Sequence, residues 1–321
     1  MNIYDLFLPI GPDCRCALYL QRIGLRYSAF PLDWQLDYSL STVLHLFQNG
    51  FKDFFIEIEA KGIADVSGKL WVEDKLNHIT NIHHFSSDDG LLYGQQKFLD
   101  IMRKRWNKLD GLLKNINDCC LVMSRKVSVD EMENFLLEFS LLYPCLTVNL
   151  VNMNFDDCMR PHDIDESIFI VKDNLMITEY NFNNKMDILT GKEYIWPGDN
   201  MAWENILCKY DLRSRFMFIK DNIANRNIVI FGAGKRCKEL LKMLDIYNIS
   251  GIAVTQNNEN PKYVLGYPVY EIEHYAKESA VVVSMANKDD VCETVNILSK
   301  KGYHNLFLYN RYRQIVSVAN N

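Results

Sequence analysis

The stretch from Ile3 to Gly24 switches its hydrophobic pattern within a few residues, and that switch restricts the fold more than any other feature of the chain. Ile3 to Ile10 is rich in apolar residues, as a buried strand requires. Gly11-Pro12 interrupts it, and Ala17, Leu18, Leu20 and Ile23 then recur at helical spacing before Gly24. A strand that runs straight into a helix is the building unit of an α/β layer. Asp13 is placed to cap that helix, which puts Cys14 in its first turn. There the unpaired backbone N–H groups and the helix dipole favour the thiolate, the form of sulfur that attacks electrophiles. Asp13 acts in the opposite sense, since its carboxylate raises a neighbouring thiol, so a cation, above all a histidine, is needed to hold a thiolate there. Cys16 lies two positions on, roughly 200° around the helix, and faces another way.

The next two hundred residues continue the alternation of α and β. Phe98, Ile101, Met102, Leu109, Leu112 and Leu113 mark the inner face of a long helix, with Arg103, Lys104, Arg105 and Lys108 on its solvated side. Cys120 to Met123 reads as a buried strand, and Ser128-Val129-Asp130-Glu131 as a capping box opening a helix with Met132, Phe135, Leu136 and Phe139 inward. Leu146 to Val151 reads as a further strand. Ile168 to Val171 and Leu175 to Tyr180 form a hairpin around Asp173-Asn174.

A nucleophilic thiol needs a base within hydrogen-bond reach. His83 and His84 follow a polar stretch, Asn77 to Asn81, and precede Phe85-Ser86-Ser87-Asp88-Asp89-Gly90, as at a strand end that opens into a loop. Asp88 and Asp89 are close enough in sequence to orient an imidazole, although two aspartates before a glycine also suit an ordinary turn. The third member of a triad is therefore left open. The backbone N–H of Cys14 is a natural oxyanion donor.

Gly11-Pro12-Asp13-Cys14-Arg15-Cys16-Ala17, Gly24-Leu25-Arg26, and Phe30-Pro31-Leu32-Asp33-Trp34 together resemble the papain-like cysteine peptidases of a bacterial family of uncharacterised members. That family carries a Gly-x-x-Cys-x-x-Ala turn, a Gly-Leu-Arg, a Pro-Phe-Asp-Trp segment and a His-Asp-Phe segment. Here the third of these reads Pro31-Leu32-Asp33-Trp34 and the last His83-His84-Phe85, with His84 in place of the aspartate. Trp196-Pro197-Gly198-Asp199 and Trp203 resemble a segment near the end of the family's domain. The resemblance implies a papain-like α/β (α+β) domain over residues 1–218 and a thiol hydrolase. Cys14 would be its nucleophile, His83 its base with His84 as the alternate, and Asp13, Asp33 and Trp34 would shape the pocket. On the residues alone, Phe30 to Trp34 equally suits a buried loop plug in which Asp33 caps the helix that follows. The 69-residue separation of Cys14 and His83 is shorter than the roughly 130–150 of papain and cathepsins, so the resemblance implies a much reduced version of that fold.

A second βαβ pattern starts near residue 219. Ile228 to Phe231 is a buried strand, Gly232-Ala233-Gly234-Lys235 a glycine-rich turn, and Leu240, Leu241 and Leu244 continue a helix; Ile249 to Val254, Val281 to Met285 and Leu306 to Leu308 are later strands. A doubly wound parallel sheet over residues 219–321 follows from this order. Cys237 in the third glycine position and the absence of an acid after Val254, where Thr255-Gln256-Asn257 follow, speak against NAD. The segment resembles the Rossmann-like nucleotide-sugar-binding domains of bacterial sugar acetyltransferases, with Gly266-Tyr267-Pro268-Val269 at their Gly-x-Pro-Val turn and Gln256-Asn257-Asn258 where they carry an acidic pair. That resemblance implies a phosphate or nucleotide-sugar ligand at Gly232, Gly234 and Lys235. It also opens the alternative of an acyl or glycan-modifying transferase in surface-polysaccharide synthesis. An empty packing domain fits the same residues.

Net charge −6, from 35 Lys+Arg against 41 Asp+Glu, and the lack of a basic block speak against nucleic acid as partner. The start of the chain has no basic leader and no apolar run long enough to cross a bilayer, which leads to the expectation of a cytoplasmic protein. Nine cysteines without a C-x-x-C pair suggest neither a disulfide framework nor a zinc site, and no metal or required cofactor is expected.

Overall fold

The computed structural model describes residues 2–64, 68–156, 158–160, 163–172, 174–184, 186–187, 192–193, 198–244, 247–256, 260–285, 287–310 and 314–318. Asp173, Trp196, Pro197, Asn257 and Asn258, each part of an expectation above, lie outside them. The chain divides into two compact units, residues 1–212 and 213–321. It is mixed α/β, with parallel, antiparallel and mixed sheets.

The apolar start of the first unit is two strands, β1 (Asn2–Tyr4) and β2 (Leu6–Pro9). Asp5 separates them because its carboxylate turns aside to accept from the backbone N–H groups of Asn117 (2.9 Å) and Asp118 (3.2 Å). Helix α1 (Cys14–Ile23) follows, and Gly24 closes it at φ +79°. Next come β3 (Gln35–Leu36), α2 (Leu40–Asn49), β4 (Ile58–Ile63), β5 (Leu70–Asp74) and β6 (Ile79–Asn81). These strands form an antiparallel sheet in the order β3-β6-β5-β4, an element with no clear periodic signature in the sequence.

Helix α3 (Leu91–Leu113) then leads to β7 (Asp118–Met123), α4 (Val129–Leu142), β8 (Thr147–Phe155), β9 (Ile164–Lys172) and β10 (Leu175–Phe182). The central sheet has the order β2-β7-β8-β10-β9 and is parallel except at β9, the antiparallel edge. The short strands β11 (Met186–Asp187) and β12 (Lys192–Glu193) pair with each other, and α5 (Asn200–Leu207) leads to β13 (Tyr210–Leu212), which pairs with β1.

Alternation along these strands sends side chains to opposite faces. Leu6, Leu8, Leu121, Leu150 and Ile177 join α2, α3 and α4 in one core cluster, while Phe7, Cys120, Val122, Val151 and Tyr180 join α1 and α5 in the other. In α3, Ile101 faces solvent rather than the core, and Arg105 turns inward from the side expected to be wet, its Nη1 donating to the Phe30 carbonyl at 3.5 Å.

The second unit opens with α6 (Arg213–Asn222) and continues through β14 (Ile228–Phe231), α7 (Lys235–Met243), β15 (Ile249–Val254), β16 (Tyr263–Val264), β17 (Tyr267–Glu271), β18 (Ala280–Val283), α8 (Lys288–Lys300), β19 (Leu306–Tyr309) and β20 (Ile315–Ser317). Its seven strands have the order β16-β17-β15-β14-β18-β19-β20, of which the central five are parallel. Ile219, Ile223 and Leu240 cover one face and Leu298 the other, so helices flank the sheet on both sides.

Candidate active site

Helix α1 starts where β2 ends, at the carboxyl edge of the central sheet. Gly11 makes the turn at φ +74°, and a Cβ there would lie 1.9 Å from the Tyr38 hydroxyl, so both backbone and space demand glycine. Asp13 is extended (φ −143°, ψ 177°), and its carboxylate accepts from Arg15 N–H at 2.8 Å, the geometry of an N-cap. Cys14 is thus the first residue of α1 and is buried, while Cys16 packs with the core on the far side. The Cys14 thiol is pushed up to about 12, first by burial and next by the Asp13 carboxylate, with Asp33 adding to it and Arg15 opposing. Burial and nearby charge therefore outweigh the helix start, and the sulfur rests as a thiol.

The structure brings His83 to this sulfur, with Nε2 3.3 Å from Sγ. The position comes from an antiparallel register. Gln35 of β3 pairs directly with Asn81 of β6, so the residue before β3, Trp34, and the turn after β6, His83-His84, meet at one end of the ladder. The ring of His83 lies edge-on to Trp34, centroids 5.7 Å apart.

Asn81, fully buried, organises the turn. Its Oδ1 accepts from the backbone N–H groups of His83 (3.0 Å) and His84 (2.9 Å), and its Nδ2 donates to Gln35 Oε1 (2.9 Å) and His84 Nδ1 (2.9 Å). Gln35 passes the restraint on, donating to the Pro31 carbonyl at 3.2 Å. Nothing in the sequence singled out Asn81 or Gln35; a buried amide directly opposite another is visible only once the register is known.

The two histidines part ways. His84 turns from the sulfur onto Phe98, centroids 5.3 Å apart, and its Nδ1 is taken by Asn81, which leaves the ring proton on Nε2. Burial, followed by the positive charge of Arg105, lowers it to about 4. A base held below its unfolded value costs stability as pH falls, because the unfolded chain takes up the proton first. Between about pH 6.5 and 4 the folded state is expected to lose roughly 3 kcal/mol through His84. Urea titrations at several pH values test this, and His84→Gln should flatten that acid limb.

Asp33 is fully buried and does not cap a helix; Ser39 caps α2 instead. Its Oδ2 accepts from Phe30 N–H (2.9 Å) and pairs with the Arg26 guanidinium, which also lies over the Trp34 ring. Burial raises the carboxyl, against Arg26. Asp88 and Asp89 are exposed, the first beside Ser87 and the second 3.9 Å from Lys97.

The far segment of the unit braces α1. Asp199 caps α5, its backbone N–H and the Trp203 indole both donate to Asn184 Oδ1, and Trp203 stacks on Tyr19 of α1 at 4.5 Å. Gly198 is required there, since a Cβ would meet the Asn184 side chain at 2.2 Å.

In the second unit, Gly232 follows β14 at φ +104°, Gly234 precedes α7 without a side-chain cap, and Lys235 is the first residue of that helix. Cys237, where a third glycine was sought, is a buried core residue. Among the described residues no group of three His, Cys, Asp or Glu side chains is arranged to hold a metal, and no helix is long and apolar enough to cross a membrane.

Residues 5–93 match the family described as "Putative papain-like cysteine peptidase", a span that contains the Cys14 turn, Asp33-Trp34 and both histidines. An uncharacterised protein of Acanthamoeba polyphaga mimivirus is 24% identical over 230 residues, covering 64% of this chain and 99% of the viral one. No solved structure matches. Over residues 5–93, then, the chain is similar to that family, and the segment of similarity is the one that carries the thiol and the imidazole.

Proposed function

We propose that the first unit is a thiol-dependent acyl hydrolase of the cysteine peptidase type, in which Cys14 is the nucleophile and His83 its base. The observation that carries this reading is the 3.3 Å approach of His83 Nε2 to the Cys14 sulfur at the first turn of a helix. With the thiol raised by burial, the sulfur rests protonated. Nε2 accepts the S–H proton as sulfur attacks a carbonyl carbon, giving a tetrahedral intermediate and an imidazolium. The imidazolium returns that proton to the leaving group, the acyl group stays on sulfur, and water assisted by His83 releases the acid. The N–H of Cys14, at the start of α1, is the donor proposed for the oxyanion. Asn81 holds the imidazole through its own backbone, a role that a triad carboxylate plays in other designs.

The test uses an unselective acyl donor. Incubation with p-nitrophenyl acetate and rapid acid quench is expected to leave one acetyl group on Cys14, located by peptide mass spectrometry, and none in Cys14→Ala. Acetylation spread evenly over exposed cysteines would refute the reading.

A phosphate-bearing ligand, such as a nucleotide-sugar, is proposed for the second unit at Gly232, Gly234 and Lys235. The support is the reversal of strand order at β14, whose neighbours β15 and β18 lead to opposite edges, together with the uncapped start of α7. Calorimetry with UDP-sugars and with inorganic phosphate tests it, and retained affinity in Lys235→Ala would argue against this site.

A further inference from the structure

The carboxyl edge of the central sheet holds a second polar cluster that the thiol chemistry does not use. Above the apolar layer formed by Leu150 and Ile177, the same face of β8 and β10 continues as Asn152, Asn154, Glu179 and Asn181, with Glu179 paired to Asn152 and Asn181 to Asn154 across the parallel ladder. Glu179 is only 7% exposed, yet among the described residues its one hydrogen-bond partner is Asn154 Nδ2, at a long 3.4 Å, and no cation pairs with it. Asn154 Nδ2 is better placed on Asn181 Oδ1 at 2.9 Å, and Asn154 Oδ1 is buried without any partner. Arg125, two residues beyond β7, sends its Nη atoms to the carbonyls of Ile10 (3.1 Å) and Tyr38, and its Nε is buried without a partner.

The cluster therefore holds a carboxylate without a cation and, in Asn154 Oδ1, a buried acceptor without a donor. Leaving such groups buried costs free energy that a ligand with N–H donors would recover. A hydroxyl brings one donor and no charge, whereas an ammonium brings three donors and the missing cation. We propose that Asn154, Glu179 and Asn181 form a binding site for a primary ammonium group.

Calorimetric titration of the full chain with n-butylammonium chloride, against n-butanol as the neutral isostere, tests the site. Binding of the amine at least tenfold tighter than the alcohol is expected, with at least tenfold loss in Glu179→Gln and unchanged affinity in Cys14→Ala. Circular dichroism checks that Glu179→Gln folds, and the half-buried Asn154→Ala provides a second variant with the same expected loss. Equal affinity for amine and alcohol, or for parent and both variants, overturns the site. Because the amine titration does not involve sulfur, a negative result there leaves acylation of Cys14 standing, and a failed acylation leaves the ammonium site standing.

Discussion

Replacing His83 by alanine is expected to slow acylation of Cys14 by about 10²–10⁴-fold, the usual worth of a positioned general base. The pH profile should change shape as well as height. In the parent protein the rate follows the neutral imidazole and levels off once that ring has lost its proton. In His83→Ala only the small thiolate fraction reacts, and with the thiol pushed up to about 12 the rate should climb tenfold per pH unit through pH 9 without a plateau. Acetylation of Cys14 by p-nitrophenyl acetate, followed by mass spectrometry across that range, reads both profiles. A variant as fast as the parent, or a parent profile that climbs like the variant's, would remove His83 from the chemistry.

Asp33→Asn is expected to lower stability by about 3–5 kcal/mol and Tm by roughly 10 °C, because it leaves the Arg26 guanidinium, which lies almost wholly inside the protein, without its anion. Arg105, whose charge also faces Asp33, adds repulsion once the carboxylate is gone. The isosteric amide keeps an acceptor for Phe30 N–H, so the loss reports charge rather than shape. The same variant should make Cys14 more acidic, since the Asp33 charge is one of the causes that hold the thiol up. A fall in stability with no change in Cys14 labelling would separate Asp33 from the site.

The local pattern around Cys14 was legible in the sequence because each part of it is local: an apolar run, a glycine-proline break, an aspartate cap and a helical repeat. The capping box at Ser128 was legible for the same reason, and Ser128 Oγ accepts from Glu131 N–H as that pattern demands. The β3-β6-β5-β4 sheet was not, since β4 is exposed along most of its length and carries no alternation to read. Arg105 was misread because side-chain reach, not position on the helix wheel, decides where a long cation ends. Which histidine meets the sulfur depended on a single residue of register between β3 and β6, information that lies in pairing and not in either strand alone.

Asn81 also bears on how this chain can vary over generations. The position asks for two acceptor lone pairs and two N–H donors on one short planar group, all inside the core. Aspartate lacks the donors, histidine and serine lack the count, and glutamine carries the right groups one methylene too far. The genetic alphabet holds no synonym for asparagine here, so a mutation at this one letter is expected to leave at least one of the four partners unmatched, whatever residue it brings.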